Sequence, residues 1–464
     1  MPSPLLKHIK TLIWVYLGLL FVEGALRKWV FPGQADLILI VRDPVVILIY
    51  VLAIGAGVFP FNMFMVAIAG MAAASVAGSL IAGQSNLLVM VYGLRINYLH
   101  LPLIWVMAST LNRRDVQRIG SFILLMALPM AVVMVLQFRA PMNAFINRGV
   151  GGTEIGQIFG ADGRIRPPGL FAFITGPQLF LPLAAAFFLY QAAVKRHLPW
   201  LLLIPIGLAI AIMLPVSISR TAMLATGIVG VTFAGTLLFG ANRGKTIVRM
   251  MIVGVAVCLA LSFLPIFSEG RDVFLKRWET AAVSSDGDAW QNVTDRVFGG
   301  LLQPFHTMAR TPIFGSGIGV GSNVGARLLS GQVGFLLAED EWNKIILELG
   351  PLLGAIFIGF RFFLTCYLAL VGIRALLTHG DPLPVLLFAA TGVAVFQYQW
   401  GPPTILGFAV FGSGLVLASL QPEPVEEAPP EPTDSIAPPV EMLPEAAPLA
   451  TVHRPASRLK RSVQ

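Results

Sequence analysis

The sequence predicts an all-α fold, a polytopic bundle of transmembrane helices. Three observations carry that prediction. Hydrophobic residues make up 56% of the 464-residue chain and charged residues only 12%, against about 25% charged in an ordinary soluble domain. The mean hydropathy is +0.78. Apolar runs recur at about 20 residues, the length of a bilayer-crossing helix. Such runs also exclude a transmembrane β-barrel, whose strands alternate apolar and polar residues.

Hydropathy places about twelve spans, over residues 9–26, 37–59, 63–82, 87–111, 116–138, 170–194, 199–216, 221–239, 248–267, 345–377, 383–400 and 404–420. Lys7 and Lys10 stand at the start of the first, as in a signal peptide. Its run continues into Glu23–Lys28 without a small-residue cleavage site, so it reads as an uncleaved helix. The span from Ile345 is too long for a simple crossing and must tilt or extend beyond the bilayer. No internal repeat is visible, which disfavours the repeat-built secondary transporters.

Charge orients the spans. Lys7 and Lys10, Arg113, Arg114 and Arg118, Lys195 and Arg196, Arg243, Lys245 and Arg249, and Arg374 all fall on one side. By the positive-inside rule that side is cytoplasmic, which puts both termini there and turns two large loops, 139–169 and 268–344, outward. Arg27 and Lys28 are the misfit, at the outer end of the first span. The net charge of +8 does not indicate nucleic acid, because the Lys and Arg residues sit mostly in short loops between spans. Cys258 and Cys366 lie inside apolar runs and read as buried thiols, without metal or disulfide spacing. Residues 1–420 thus form the membrane domain. Residues 421–464, rich in Pro and Glu and ending on Arg454, Arg458, Lys460 and Arg461, form a disordered tail.

Several charged motifs carry both a functional and a structural reading. Glu23 and Arg27 are spaced to pair on one helix face, with Trp29 as an interfacial anchor; alternatively Arg27 or Lys28 faces an anionic ligand. Arg42-Asp43-Pro44 lies within the second span, where charges pair or line a cavity. Arg95 is the deepest charge of the chain, either a functional residue or the buried partner of Asp43 or Glu23. In Gly163-Arg164-Ile165-Arg166-Pro167-Pro168, two arginines on fixed turns suit bidentate phosphate binding or an ordinary loop end.

Ser217-Ile218-Ser219-Arg220-Thr221 is the most informative short run. Arg220 opens the eighth span on the outer face, with hydroxyls on either side and a helix N-terminus at hand, a combination suited to an oxyanion. A snorkelling interfacial arginine is the structural counterpart. The longest polar excursion, Ser268 to Gly350, holds Gly315-Ser316-Gly317-Ile318-Gly319-Val320-Gly321, which lacks the βαβ context of a dinucleotide loop and reads as a tight turn. The excursion ends on Glu339, Asp340 and Glu341, with Glu341, Lys344 and Glu348 on one helical face. A half-buried carboxylate there serves as a general base, or the cluster is a salt-bridged helix start.

Together these features resemble the O-antigen ligase and O-antigen polymerase superfamily, membrane glycosyltransferases of the bacterial cell envelope. The resemblance rests on the span layout, the large loop before the last three spans, Ser217–Leu224, Pro312–Gly319, and Trp342 through Glu348-Leu349-Gly350. It covers most of 139–350; the N-terminal third matches mainly in layout. It implies a multi-pass protein of the bacterial inner membrane. Such a protein moves a glycan from an undecaprenyl pyrophosphate carrier to an acceptor hydroxyl on the periplasmic side, without metal, nucleotide sugar or other cofactor. Implied partners are that lipid-linked oligosaccharide, membrane lipids and other polysaccharide-assembly proteins. Arg220 matches the family's arginine at the start of its span, Arg296 stands for the loop arginine, and Arg166 and Arg95 are further candidates to bind the substrate. Ligases carry a histidine where this chain has Glu339, with Glu341 close by. A carboxylate base in its place favours a polymerase over a lipid A ligase. The rival reading is a transporter or flippase for polysaccharide or its carrier, with Glu23, Arg42, Asp43 and Arg95 along the path.

Overall fold

The structure is a computed structural model that describes residues 4–154, 156–237, 263–283, 300–331, 334 and 336–423, with scattered positions between 238 and 262. Arg296, several positions of the expected span 248–267 including Cys258, and the tail from residue 424 lie outside the described residues. One compact unit runs from Met1 to Pro424. Among the described residues it is helical, without a strand; one isolated bridge joins Phe159 and Ile165.

Among the described residues, six helical segments are long and apolar enough to cross a membrane. They are Pro4–Val30, Pro32–Gly55, Met63–Ile81, Leu87–Thr110, Arg113–Arg139 and Glu341–His379. The first joins α1 (Pro4–Ala25) to a π-turn, Leu26–Val30, so Arg27 and Lys28 sit inside the helical segment and are buried. The second contains α2 (Arg42–Gly55), and the third is α3 (Met63–Ile81). The fourth holds α4 (Leu87–Leu94), a π-turn (Arg95–Leu99) and α5 (Leu103–Thr110). The fifth is α6 (Arg113–Arg139). Polar residues at the loop ends satisfy free helix N–H groups. Asn62 accepts from Phe64 and Met65, Asn86 accepts from Val89, and Asn112 and Asp115 form a reciprocal capping box.

Further along come α7 (Thr175–Ala193), α8 (Trp200–Val216) and α9 (Arg220–Thr236). The polar excursion, read as a loop, carries helices of its own: α10 (Pro265–Val283), α11 (Gly300–Met308) and α12 (Asn323–Ser330). The last described helices are α13 (Glu341–His379), α14 (Leu383–Phe396) and α15 (Pro403–Ala418). Every residue of α15 is buried, as expected of a helix apolar all round. It packs against α14, α5 and α7 and is the centre of the bundle. Gly407 lets it close on α2, because a Cβ there would stand 2.2 Å from the Arg42 guanidinium.

The over-long span is broken near its start. α13 is broken at Gly350, whose φ of 82° and ψ of 169° are not helical. Pro351 follows, and it has no N–H to offer the Leu347 carbonyl one turn back. Ser316 N–H fills that vacancy at 2.8 Å, and Gly317 N–H donates to the Glu348 carbonyl at 2.9 Å. The Gly315–Gly321 run, read as a tight turn, is therefore the plug of a helix break. Its glycines 315, 317 and 319 all have positive φ. A first arm up to Leu349 folds back along a second arm starting at Pro351.

Candidate functional site

The Arg220 junction is built from a short, constrained connection between α8 and α9. α8 ends at Val216; Ser219 caps α9 by accepting from Ala222 N–H at 3.3 Å, and Gln178 Nε2 donates to the same Ser219 hydroxyl at 2.9 Å. Between them Ile218 holds φ at 47°. Left-handed backbone is an outlier for a β-branched residue and costs about 1–3 kcal/mol. The site is over-determined by packing. Ile218 is buried, and its Cδ1 lies so close to Gly160 that a Cβ there would meet it at 2.8 Å.

That contact brings the segment carrying Arg164 and Arg166 against the segment carrying Arg220. The segment is a small hairpin, with Gly160 N–H donating to the Arg164 carbonyl at 2.8 Å and Arg166 N–H to the Ile158 carbonyl at 2.9 Å. Arg164 donates to the Phe138 carbonyl at 2.9 Å and lies over the Phe138 ring at 4.2 Å. Arg166 is half-buried. From the other side α10 packs on α8 and sets the Trp278 ring 5.8 Å from the Arg220 guanidinium. Lys276 pairs with Asp162 at 3.1 Å and Arg139 with Glu269 at 3.0 Å, tying α10 to the preceding loop and to the end of α6. Both pairs are exposed and weak individually. The two segments expected to form outer loops thus meet around Arg220.

Arg95 takes different partners. Its guanidinium binds the Asp43 carboxylate and the Leu39 carbonyl, the latter at 2.8 Å, while Nη1 is buried without a hydrogen-bond partner. Asp43 also meets His100 Nε2 at 3.0 Å, and His100 Nδ1 lies 3.2 Å from the Tyr16 hydroxyl. The Tyr16 hydroxyl in turn accepts from Arg42 at 3.2 Å, and Arg42 reaches Glu23 at 3.1 Å and the Pro403 carbonyl. Glu23 completes the chain to Arg27 at 3.3 Å, the i,i+4 pair expected from sequence. Lys28 leaves this network for the Gly169 carbonyl at 2.8 Å.

The acidic end of the polar stretch separates into distinct roles. Glu339 is exposed. Asp340 is the cap of α13, accepting from Asn343 N–H at 2.9 Å. Glu341 is buried at 3% exposure, with Oε2 bound to Lys344 at 2.5 Å and Oε1 to Arg361 at 2.8 Å and Trp400 N–H at 3.3 Å. Glu348 accepts from Gly321 N–H at 2.7 Å through Oε1; Oε2 is buried without a partner. Arg361 also donates to the Val395 and Tyr398 carbonyls, both at 2.8 Å, and stacks on Trp400 at 4.0 Å.

Sequence reasoning passed over Arg361, His100, Trp278 and Gln178. Arg361 had a signal, since a lone charge inside an apolar run marks a site by default. The other three had none, because their partners come from distant elements. Among the described residues no group of three or more His, Cys, Asp or Glu side chains is arranged to hold a metal ion. No protein-family model matches the chain, and no curated protein matches it.

Proposed function

We propose that the chain is a glycosyltransferase of the bacterial inner membrane. It would move an oligosaccharide from undecaprenyl pyrophosphate to an acceptor hydroxyl, as a polymerase in preference to a ligase. In this reading about twelve segments cross the bilayer, both termini are cytoplasmic, and 139–169 and 268–344 face the periplasm. The observation that carries it is the Arg220 junction. A strained, packed connection holds an arginine at a helix N-terminus, beside an aromatic ring of α10 and a hairpin bearing two more arginines. A guanidinium beside the N–H groups of a helix start favours a pyrophosphate whose charge grows as it leaves.

The acceptor oxygen forms the new bond to the anomeric carbon while the bond from that carbon to the pyrophosphate oxygen breaks. Arg220, with Arg166 and Arg296, takes up the developing negative charge. The hydroxyl proton passes to a carboxylate, and Glu339 is the candidate with an accessible group. Glu341, with both oxygens engaged, acts as a positioning residue for the end of the polar stretch.

The experiment is transfer in proteoliposomes, with the purified full chain and lipid-linked oligosaccharide. Longer glycans and released lipid pyrophosphate support the proposal. Lipid-linked substrate that crosses the bilayer without a new glycosidic bond supports the transporter reading instead. Against that rival, Glu23, Arg42, Asp43 and Arg95 are joined in ion pairs with one another.

A further inference from the structure

A cleft of about 540 Å³ opens where α6 begins and α7, α13 and α15 end. That volume is within the range of small-molecule sites. Arg113, Lys195 and Arg374 line it, facing the carboxylates of Asp381 and Glu423. Arg113 is buried and committed: it donates to Asp381 at 2.7 Å, to the Ser419 carbonyl at 2.6 Å and to the Tyr190 hydroxyl at 3.1 Å. Lys195 and Arg374 are exposed. Arg374 takes no acidic partner among the described residues, whereas Lys195 holds the Glu423 carboxylate, which Gln117 Nε2 also reaches at 3.5 Å.

We propose that this cleft is an anion site for a phosphate group, and that Glu423 is its intramolecular occupant. Three observations argue for it. The cations outnumber the acids of the cleft, and removing Glu423 leaves Lys195 and Arg374 together without a counter-charge. A carboxylate already sits on Lys195, so the cleft accepts an oxyanion. Glu423 belongs to the last described turn of chain after α15, immediately before a segment that carries Glu426, Glu427 and Glu431. An ammonium and a guanidinium lining one cleft suit a phosphate oxyanion as they suit a carboxylate.

The source of that phosphate follows from position. The wall includes Val371 and Ala375, in the last turns of α13, together with Val194 and Leu420. α13 is one of the segments apolar enough to cross a membrane, so the cleft sits at the end of such a helix, where phospholipid headgroups lie. The apolar wall then receives the start of the acyl chains. An anionic phospholipid is the ligand, and Glu423 competes with it. This inference is independent of the glycosyltransferase reading.

The test uses the purified full chain in detergent. Probes are short-chain phosphatidylglycerol and phosphatidylcholine, followed by native mass spectrometry, and inorganic phosphate, followed by phosphorus NMR. Glu423→Gln removes the competitor and raises phosphatidylglycerol affinity by about two- to fivefold, the range of an exposed ion pair. Lys195→Ala combined with Arg374→Ala lowers it to the level of phosphatidylcholine; both residues are exposed, so folding is retained. Inorganic phosphate that binds with the same response to these variants supports the anion site and moves its source to the aqueous phase. Unchanged phosphatidylglycerol binding in Glu423→Gln, or wild-type binding in the double variant, overturns the proposal. The two substitutions act in opposite directions, so a general loss of structure cannot mimic the expected pattern.

Discussion

Glu341 and Arg361 are 20 residues apart on α13, and their side chains meet at 2.8 Å. On a straight helix 20 residues span about 30 Å. The pair therefore exists only because the helix folds back at Gly350, and it clamps the two arms together. Both side chains are buried, and Lys344, buried as well, holds the other Glu341 oxygen. Glu341→Leu therefore strands two buried cations, whereas Arg361→Met leaves Glu341 paired with Lys344. Breaking a buried pair costs about 3–5 kcal/mol. Glu341→Leu is expected to lower the thermal midpoint of the detergent-solubilised chain further than Arg361→Met does. Equal losses in the two variants would show that Lys344 does not depend on Glu341.

Gly350 itself is the second test. Its φ is 82°, and an added Cβ would stand 2.0 Å from the Ile313 carbonyl oxygen. Strain of that backbone costs about 1–3 kcal/mol for another residue, and the clash adds to it by pushing out the Gly315–Gly321 run. Gly350→Ala is expected to destabilise the chain clearly more than Gly359→Ala on the second arm, where a Cβ meets nothing. Thermal unfolding of both variants compares them directly.

How far the sequence foresaw this depends on whether a partner was local. The helical class followed from apolar runs, and the Glu23–Arg27 pair followed from spacing on one turn. The choice between a functional Arg95 and an Arg95 paired with Asp43 stayed open in sequence; the structure makes that pair. The Gly350 break did not register, because a hydropathy window averages Glu348-Leu349-Gly350-Pro351 into the apolar residues on both sides. The Gly-Pro step is a turn signal when read alone. Glycines 315–321 had no visible purpose for the complementary reason, since the carbonyls they satisfy belong to α13. At the candidate site, Arg220 was legible from its place at a helix start. The strain at Ile218 and the approach of Trp278 were not, because both depend on the docking of 156–166 and α10.

Arg220 gives the prediction that bears most directly on activity. If it stabilises a departing pyrophosphate, Arg220→Ala lowers turnover by about 10²–10³-fold, the size of losing one well-placed donor to a developing charge. Arg220→Lys keeps the charge without the planar fork and recovers only part of it. Because Arg220 is only half-buried, the thermal midpoint should move little in either variant. Glycan transfer measured beside thermal unfolding separates the two effects. Equal turnover in wild type and Arg220→Ala would remove Arg220 from the chemistry.

Glu423 makes the cleft sensitive to pH, in a direction that can be worked out. Its hydrogen bond to Lys195 holds the carboxyl below the usual glutamate range. A lowered carboxylate value means that the contact is fully present above the ordinary range and is lost as pH falls through the lowered value. Acidification therefore releases this segment. A spin label at Gln421, next to the contact, reports the release as increased mobility on the acid side. In Glu423→Gln the label is mobile at neutral pH and shows no acid transition. Because both side chains are substantially exposed, salt weakens the contact as well. Raising ionic strength at neutral pH should mobilise the label in the wild type and leave Glu423→Gln unchanged.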